Sequence, residues 1–175
     1  MKDPQIAPVE EAADPALSVL FEARHTIPEL KAKTREGVIG EIVGRVGELG
    51  LVNDAKWLEA ALTERERMVP TAMPNGVAFL HARHRAAEKF PKQFLFLARS
   101  GKGVQFGSPD DRPTHLFFLL ALRKDMAHLR WLARLSWICR NRATVSTLLR
   151  SSTADELARA MRLAVEELPG NLRQR

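Results

Sequence analysis

Cys139 is the only cysteine in 175 residues. An internal disulfide is therefore excluded, and the chain is read as a cytoplasmic protein in reducing surroundings. No run approaches the roughly 20 consecutive apolar residues that a membrane-spanning helix needs. The opening Met1-Lys2-Asp3-Pro4 continues acidic, without the basic-then-apolar order of a secretory signal. Several signatures of nucleotide and hydrolase chemistry are also missing. Gly101-Lys102 would complete a P-loop only with glycine at 96 and serine or threonine at 103, where the chain has Phe96 and Gly103. No G-x-G-x-x-G opens a helix, and no G-x-S-x-G elbow marks a serine hydrolase. Internal repeats and low-complexity segments are absent as well.

What is present has ordinary globular proportions, with 45% hydrophobic and 27% charged residues, and the length suits one domain with a proper core. Residues Pro4, Pro8 and Pro15 punctuate an acidic, loosely ordered start. Leu17 to Ile27 is expected as an edge strand. Thr34 reads as a helix N-cap, and Val38, Ile39, Ile42, Val43, Val46 and Leu49 follow helical spacing to Gly50. A second helix after Asp54 is expected to bury Trp57, Leu58, Ala61 and Leu62 before Pro70. The period then changes. Val77–Leu80, Phe94–Ala98 and Leu116–Leu122 read as strands, the last buried on both faces, with a possible extra strand at Val104–Phe106. A helix from about Met126 to Arg140 carries Leu129, Leu132, Ala133 and Ser136 on one face. Thr153-Ala154-Asp155-Glu156 is a capping box for a last helix burying Leu157, Met161 and Val165, and Pro169-Gly170 ends it. This order indicates an α/β domain with a mixed sheet.

The net charge of +6 is unevenly placed. Arg123, Lys124, Arg130, Arg134, Arg140, Arg142 and Arg150 face only Asp125 within residues 123–150. The block reads first as a solvated helical face, and otherwise as a surface for nucleic acid, an acidic protein or a phosphorylated partner. Trp131 and Trp137 lie among apolar residues at helical spacing and are read as core rather than as base-stacking platforms.

Among the histidines, His25 and His115 have no motif around them. His81 and His84 are three apart, but His81 ends a strand, no acidic residue follows at motif spacing, and Arg83 and Arg85 oppose a cation. No metal and no cofactor is therefore expected. His81 has other company. An imidazole that accepts a phosphoryl group needs an accessible neutral nitrogen, with cations or N–H dipoles to spread the transferred charge. Arg65 can hold two phosphate oxygens, His128 can add an N–H donor if folded alongside, and Thr71 can donate to the ring or to phosphate. Spacing alone leaves this reading level with a second, in which Arg65 and Glu66 merely occupy an exposed helix end.

The order Arg65-Glu66, Thr71, Asn75-Gly76-Val77-Ala78 and His81 resembles the active-site region of enzyme IIA domains of the bacterial phosphotransferase system. The likeness is to the fructose–mannitol type, which includes the nitrogen-regulatory proteins. Gly50-Leu51-Val52 with Asp54, Val104-Gln105-Phe106-Gly107 and Ala127-His128-Leu129 extend it over roughly residues 17–168. Residues 1–16 and 169–175 are left as tails. The resemblance implies a single domain with a mixed, roughly five-stranded sheet flanked by helices. It also implies His81 as the phosphorylated residue, with Arg65 and His128 supporting it; Thr71 is expected to fix the ring or the nearby loop. The implied donor is the phosphocarrier HPr or its nitrogen-branch counterpart. The implied acceptor is a IIB unit, unless the phosphate stays as a regulatory mark. No fused IIB or membrane segment and no sugar-binding signature is seen, which favours the regulatory use. A non-catalytic interaction module of the same fold, acting through residues 123–150 on an acidic protein or nucleic acid, is the alternative. The chain departs from the family pattern at Leu80, where proline is usual, and at Met68-Val69-Pro70, where a more polar turn is usual. Arg83-His84-Arg85 adds three potentially cationic groups able to hold phosphate or repel a basic donor.

Overall fold

The computed structural model describes residues 21–84 and 86–173. The expectations for residues 1–16, for the first part of the 17–27 strand and for Arg85 lie outside the described residues.

Two helices open the domain, and both begin on side-chain caps. The Thr34 hydroxyl accepts from Gly37 N at 3.1 Å and starts α1 (Arg35–Glu48). The Asp54 carboxylate accepts from Trp57 N at 2.9 Å and starts α2 (Ala55–Met68). Each satisfies amide groups that the first helical turn leaves unpaired. Leu58 and Leu62 are buried as expected, whereas Trp57 and Ala61 are only half-buried. The expected 17–27 strand is reduced to β1 (Thr26–Ile27), with a 3-10 turn at Ala23–His25 before it.

A hairpin follows α2. The short β2 (Ala72–Met73) pairs antiparallel with β3 (Val77–Leu80) across a turn in which Gly76 adopts φ +77°. That conformation suits a residue without Cβ. β4 (Phe94–Val104) runs antiparallel to β5 (Thr114–Ala121). The expected separate strand at 104–106 is corrected here, because Val104 is the end of β4. The Ser100–Gly103 loop signal is a register irregularity inside that strand, with Gly103 at φ +75°. A Cβ on Gly103 would lie 2.7 Å from His115 Cε1, so only glycine lets the strand pass there.

Among the described residues the sheet has the order β1-β4-β5-β3-β2. β1 is parallel to β4, and β3 is parallel to β5 with Leu80 opposite Leu119. Side chains alternate across this sheet and feed two cores. Leu80, Phe94, Phe96, Phe117 and Leu119 join the core that includes α1 and α2 residues Ile39, Ile42, Leu58 and Leu62. Val77, Phe79, Leu95, Phe118 and Leu120 join the core on the other face.

That second face is covered by α3 (Asp125–Arg140), α4 (Arg142–Arg150), α5 (Ala154–Glu166) and the short α6 (Gly170–Arg173). The buried face of α3 consists of Ala127, His128, Trp131, Arg134, Leu135, Ile138 and Cys139. This corrects the expected stripe: Leu129, Ala133 and Ser136 are exposed and Leu132 is half-buried. Both stripes have helical spacing, and packing selects the one carrying Trp131, whose ring meets Phe21 edge-on at 5.9 Å between centroids. Trp137 is 36% exposed and is not core. α4, which the sequence reading lacked, is capped by Asn141 and buries Leu148. α5 has the full Thr153–Glu156 capping box. α6 occupies residues placed in the C-terminal tail, and its Leu172 packs against the second core.

Candidate functional site

β3 and β5 are parallel neighbours, so their C-terminal ends reach the same sheet edge. His81 leaves that edge directly after Leu80, which is fully buried as the last residue of β3. α3 begins there too, after β5, and the end of its first turn carries His128. Arg65 comes from the last turn of α2.

The ring of His81 is half-buried and held at both nitrogens. Nδ1 lies 2.8 Å from the carbonyl oxygen of Phe79. A carbonyl only accepts, so Nδ1 carries the hydrogen in this pair. Arg65 Nε donates to His81 Nε2 at 3.3 Å, which requires a lone pair on Nε2. Together the two contacts select the neutral imidazole with Nε2 unprotonated. Arg65 is itself anchored, because a terminal guanidinium nitrogen donates to Val69 O at 2.6 Å. The ring orientation is thus set by Phe79 and Arg65 with leucine, not proline, at position 80. The buried His128 ring lies 5.0 Å from the His81 ring, centroid to centroid, at 60°.

Thr71 makes its hydrogen bonds to the end of α2. It is buried, and its hydroxyl donates to a carboxylate oxygen of Glu66, whose other oxygen accepts Thr71 N at 3.0 Å. The hydroxyl is committed to Glu66 rather than to the imidazole, so Thr71 ties the end of α2 to β2 beneath the site. Glu66, read as one side of an exposed helix end, is 1% exposed. Burial pushes its carboxyl above the ordinary range, while the Thr71 hydrogen bonds and the guanidinium groups of Arg65 and Arg35 pull it down. Its adjacency to Arg65 in sequence was a signal, but nothing local announced that it points inward.

Around the ring, Arg83 and His84 are exposed, and an Arg83 guanidinium nitrogen sits 3.7 Å from Met68 Sδ. Among the described residues no group of three or more His, Cys, Asp or Glu residues could hold a metal ion. The Cys139 thiol is buried, and desolvation pushes its pKa up to about 12, so it is not a nucleophile in the folded chain. No helix among the described residues is long and apolar enough to cross a membrane. The basic block of residues 123–150 is not one surface. Arg134 is buried, its guanidinium 4.9 Å from the Trp131 ring centroid and its Nε donating to Leu172 O at 2.8 Å. Arg123 and Lys124 lie just before α3, while Arg140 ends it and Arg142 follows, about 24 Å away for 16 residues of helix.

A mixed sheet with an arginine-held imidazole at its edge and a second imidazole beside it defines a class that the comparisons identify. Residues 19–162 match the family described as "Phosphoenolpyruvate-dependent sugar phosphotransferase system, EIIA 2". The chain is 31% identical over 137 residues to the PTS system fructose-specific EIIABC component of Bacillus subtilis, covering 77% of this chain and 21% of that protein. It therefore spans about a fifth of that relative's length. It is 29% identical over 133 residues to a nitrogen regulatory protein of Bradyrhizobium diazoefficiens, covering 75% and 84% of the two chains. In fold it is similar to a chain of the solved complex of enzyme IIA mannitol and phosphorylated enzyme IIB mannitol from Escherichia coli. There the TM-score is 0.69 and the identity 21%, over 80% of this chain and 95% of the other. The chain belongs to the type 2 EIIA family of the phosphoenolpyruvate-dependent sugar phosphotransferase system.

Proposed function

We propose that His81 accepts a phosphoryl group at Nε2 from a phosphohistidine carrier protein of the HPr kind or its nitrogen-branch counterpart. The observation that carries this reading is the clamp on the ring, with Nδ1 against Phe79 O and Nε2 toward Arg65. In the transfer, the Nε2 lone pair forms a bond to phosphorus as the donor's P–N bond breaks. The released electron pair stays on the donor's ring nitrogen. The phosphorylated His81 ring keeps its Nδ1 hydrogen and gains positive charge, which the Phe79 carbonyl stabilises. Arg65 Nε, which faces Nε2 in the resting chain, turns to grip phosphoryl oxygens, and the His128 ring, 5.0 Å from that of His81 between centroids, donates to another.

Likeness to the nitrogen regulatory protein supports use of the phosphate as a regulatory mark. Likeness to the fructose component and to the IIA–IIB complex supports onward transfer to a IIB unit. In this chain the phosphate serves as a regulatory mark. A non-catalytic module working through residues 123–150 has less support, because Arg134 is withdrawn and the remaining cations are separated along α3.

Intact-protein mass spectrometry after incubation with a phosphorylated carrier tests the proposal. One acid-labile phosphate is expected on the unaltered chain and none on His81→Ala. Label that persists in the variant would sink the assignment. A chase with a IIB domain separates the two uses, since a regulatory protein keeps its phosphate on that timescale.

A further inference from the structure

We infer that the macromolecule that docks over His81 is acidic at its contact surface. This rests on the phosphotransfer reading of the site and adds the chemistry of the partner.

Three separate chain segments bring exposed cations to the edge where His81 stands. Arg67 comes from the last turn of α2, where it shares a groove with Glu64 and Met68. Arg83 follows His81 and lies against Met68 of that same turn. Arg123 and Lys124 join β5 to α3, and the Lys124 carbonyl accepts His128 N at 3.1 Å, one helical turn before the second imidazole. The acidic groups on these segments are fewer. Glu66 is buried on Thr71, which leaves exposed Glu64 and Asp125. The same edge exposes large apolar side chains. Met68 and Val69 are 52% and 62% exposed at the end of α2, and Met126 and Leu129 are 59% and 58% exposed on the first turns of α3. Exposed apolar side chains interspersed with cations on neighbouring segments have the composition of a docking surface. Charge complementarity then selects the partner. A carrier with a basic rim would meet like charges from all three segments, and an acidic rim would be steered in.

The test uses the full chain and one HPr-type phosphocarrier in two forms. The first has acidic residues around its phosphohistidine, and the second has those acids replaced by lysine. Association is followed by fluorescence anisotropy, transfer by mass spectrometry, and phosphoramidate serves as a small P–N donor that needs no docking surface. The acidic carrier is expected to bind and to transfer at least about tenfold better than the lysine form, with the advantage shrinking as salt is raised. Arg123→Glu with Lys124→Glu should remove that advantage and leave phosphoramidate labelling of His81 unchanged. Equal binding of the two carriers, or no response to salt and to the charge reversal while phosphoramidate still labels His81, overturns the acidic partner alone. Failure of phosphoramidate and of both carriers to label the unaltered chain overturns the phosphotransfer reading and the partner with it.

Discussion

Arg65 is the residue on which the site's geometry turns, because one guanidinium reaches both His81 Nε2 and the Val69 carbonyl. Lysine offers a point charge on a flexible stem and cannot make both contacts from one rigid fork. Arg65→Lys is therefore expected to slow phosphorylation of His81 by about 100-fold, as for loss of one oriented donor to a developing oxyanion, in a single-turnover assay with phosphorylated carrier. Beside it, Glu66 makes a prediction of its own. Its carboxyl holds a proton more tightly in the folded chain than in the unfolded one. Between the ordinary carboxylate range and its raised folded value, the folded state binds more protons, so this group's contribution to stability falls as pH rises through that window. Urea unfolding at a series of pH values should show that fall, and Glu66→Gln should flatten it. An unchanged slope would mean that the carboxyl is not desolvated as described. Position 80 is informative in a different way. Leu80 stands where the resemblance led us to expect proline, yet the ring of the next residue is held by Phe79 and Arg65, neither of which depends on position 80 being proline.

At the scale of elements, three helix starts and the buried faces of α1 and α5 were legible in the sequence, and the buried face of α3 was not. Thr34, Asp54 and Thr153 cap the helices that follow them because each satisfies amide groups within three residues, a purely local condition. Thr153→Ala should cost about 1 kcal/mol, read as a shift in the urea midpoint at unchanged slope. α3 is the contrary case. Leu129 and Leu132 are as apolar as Leu135 and Ile138, and local spacing allows either stripe to turn inward. Trp131 settles it by filling the space against Phe21, and His128 is carried to the His81 edge by the same rotation. α4 was missed because Arg142-Ala143-Thr144-Val145-Ser146-Thr147 has few strong helix formers and buries only Leu148 fully.

In the whole molecule, one sheet serves two cores, so its central strand is apolar at every position from Leu116 to Ala121. Phe118 faces the α3–α5 side and is fully buried against Phe79. Phe118→Ala should cost about 3–5 kcal/mol, a large part of the roughly 5–15 kcal/mol that holds a domain together. Because the strand is shared, the loss should be felt on both faces. Fluorescence of Trp57, beside the α1–α2 core, and of Trp131, in the other core, should then fall in one transition in single-tryptophan variants. Two separated transitions would mean that the faces melt independently.

The order of α1, α2, β3, β4, β5, α3 and α5, the caps at Thr34, Asp54 and Thr153, the doubly buried strand and the likeness around His81 were present in the sequence. Each depends on residues close together in the chain or on a pattern repeated along it. Only the tertiary structure decided that Glu66 turns inward to hold Thr71, that Arg134 leaves the basic block to lie on Trp131, and that α3 brings His128 to within a ring's width of His81. These outcomes share a physical cause. A carboxylate, a guanidinium or a helical stripe can face water or protein with the same local geometry, and the choice falls to neighbours that are distant in the chain. His81 itself belongs to both accounts: its neighbours in sequence drew attention to it, and the Phe79 carbonyl and Arg65 give its Nε2 the lone pair that the proposed chemistry uses.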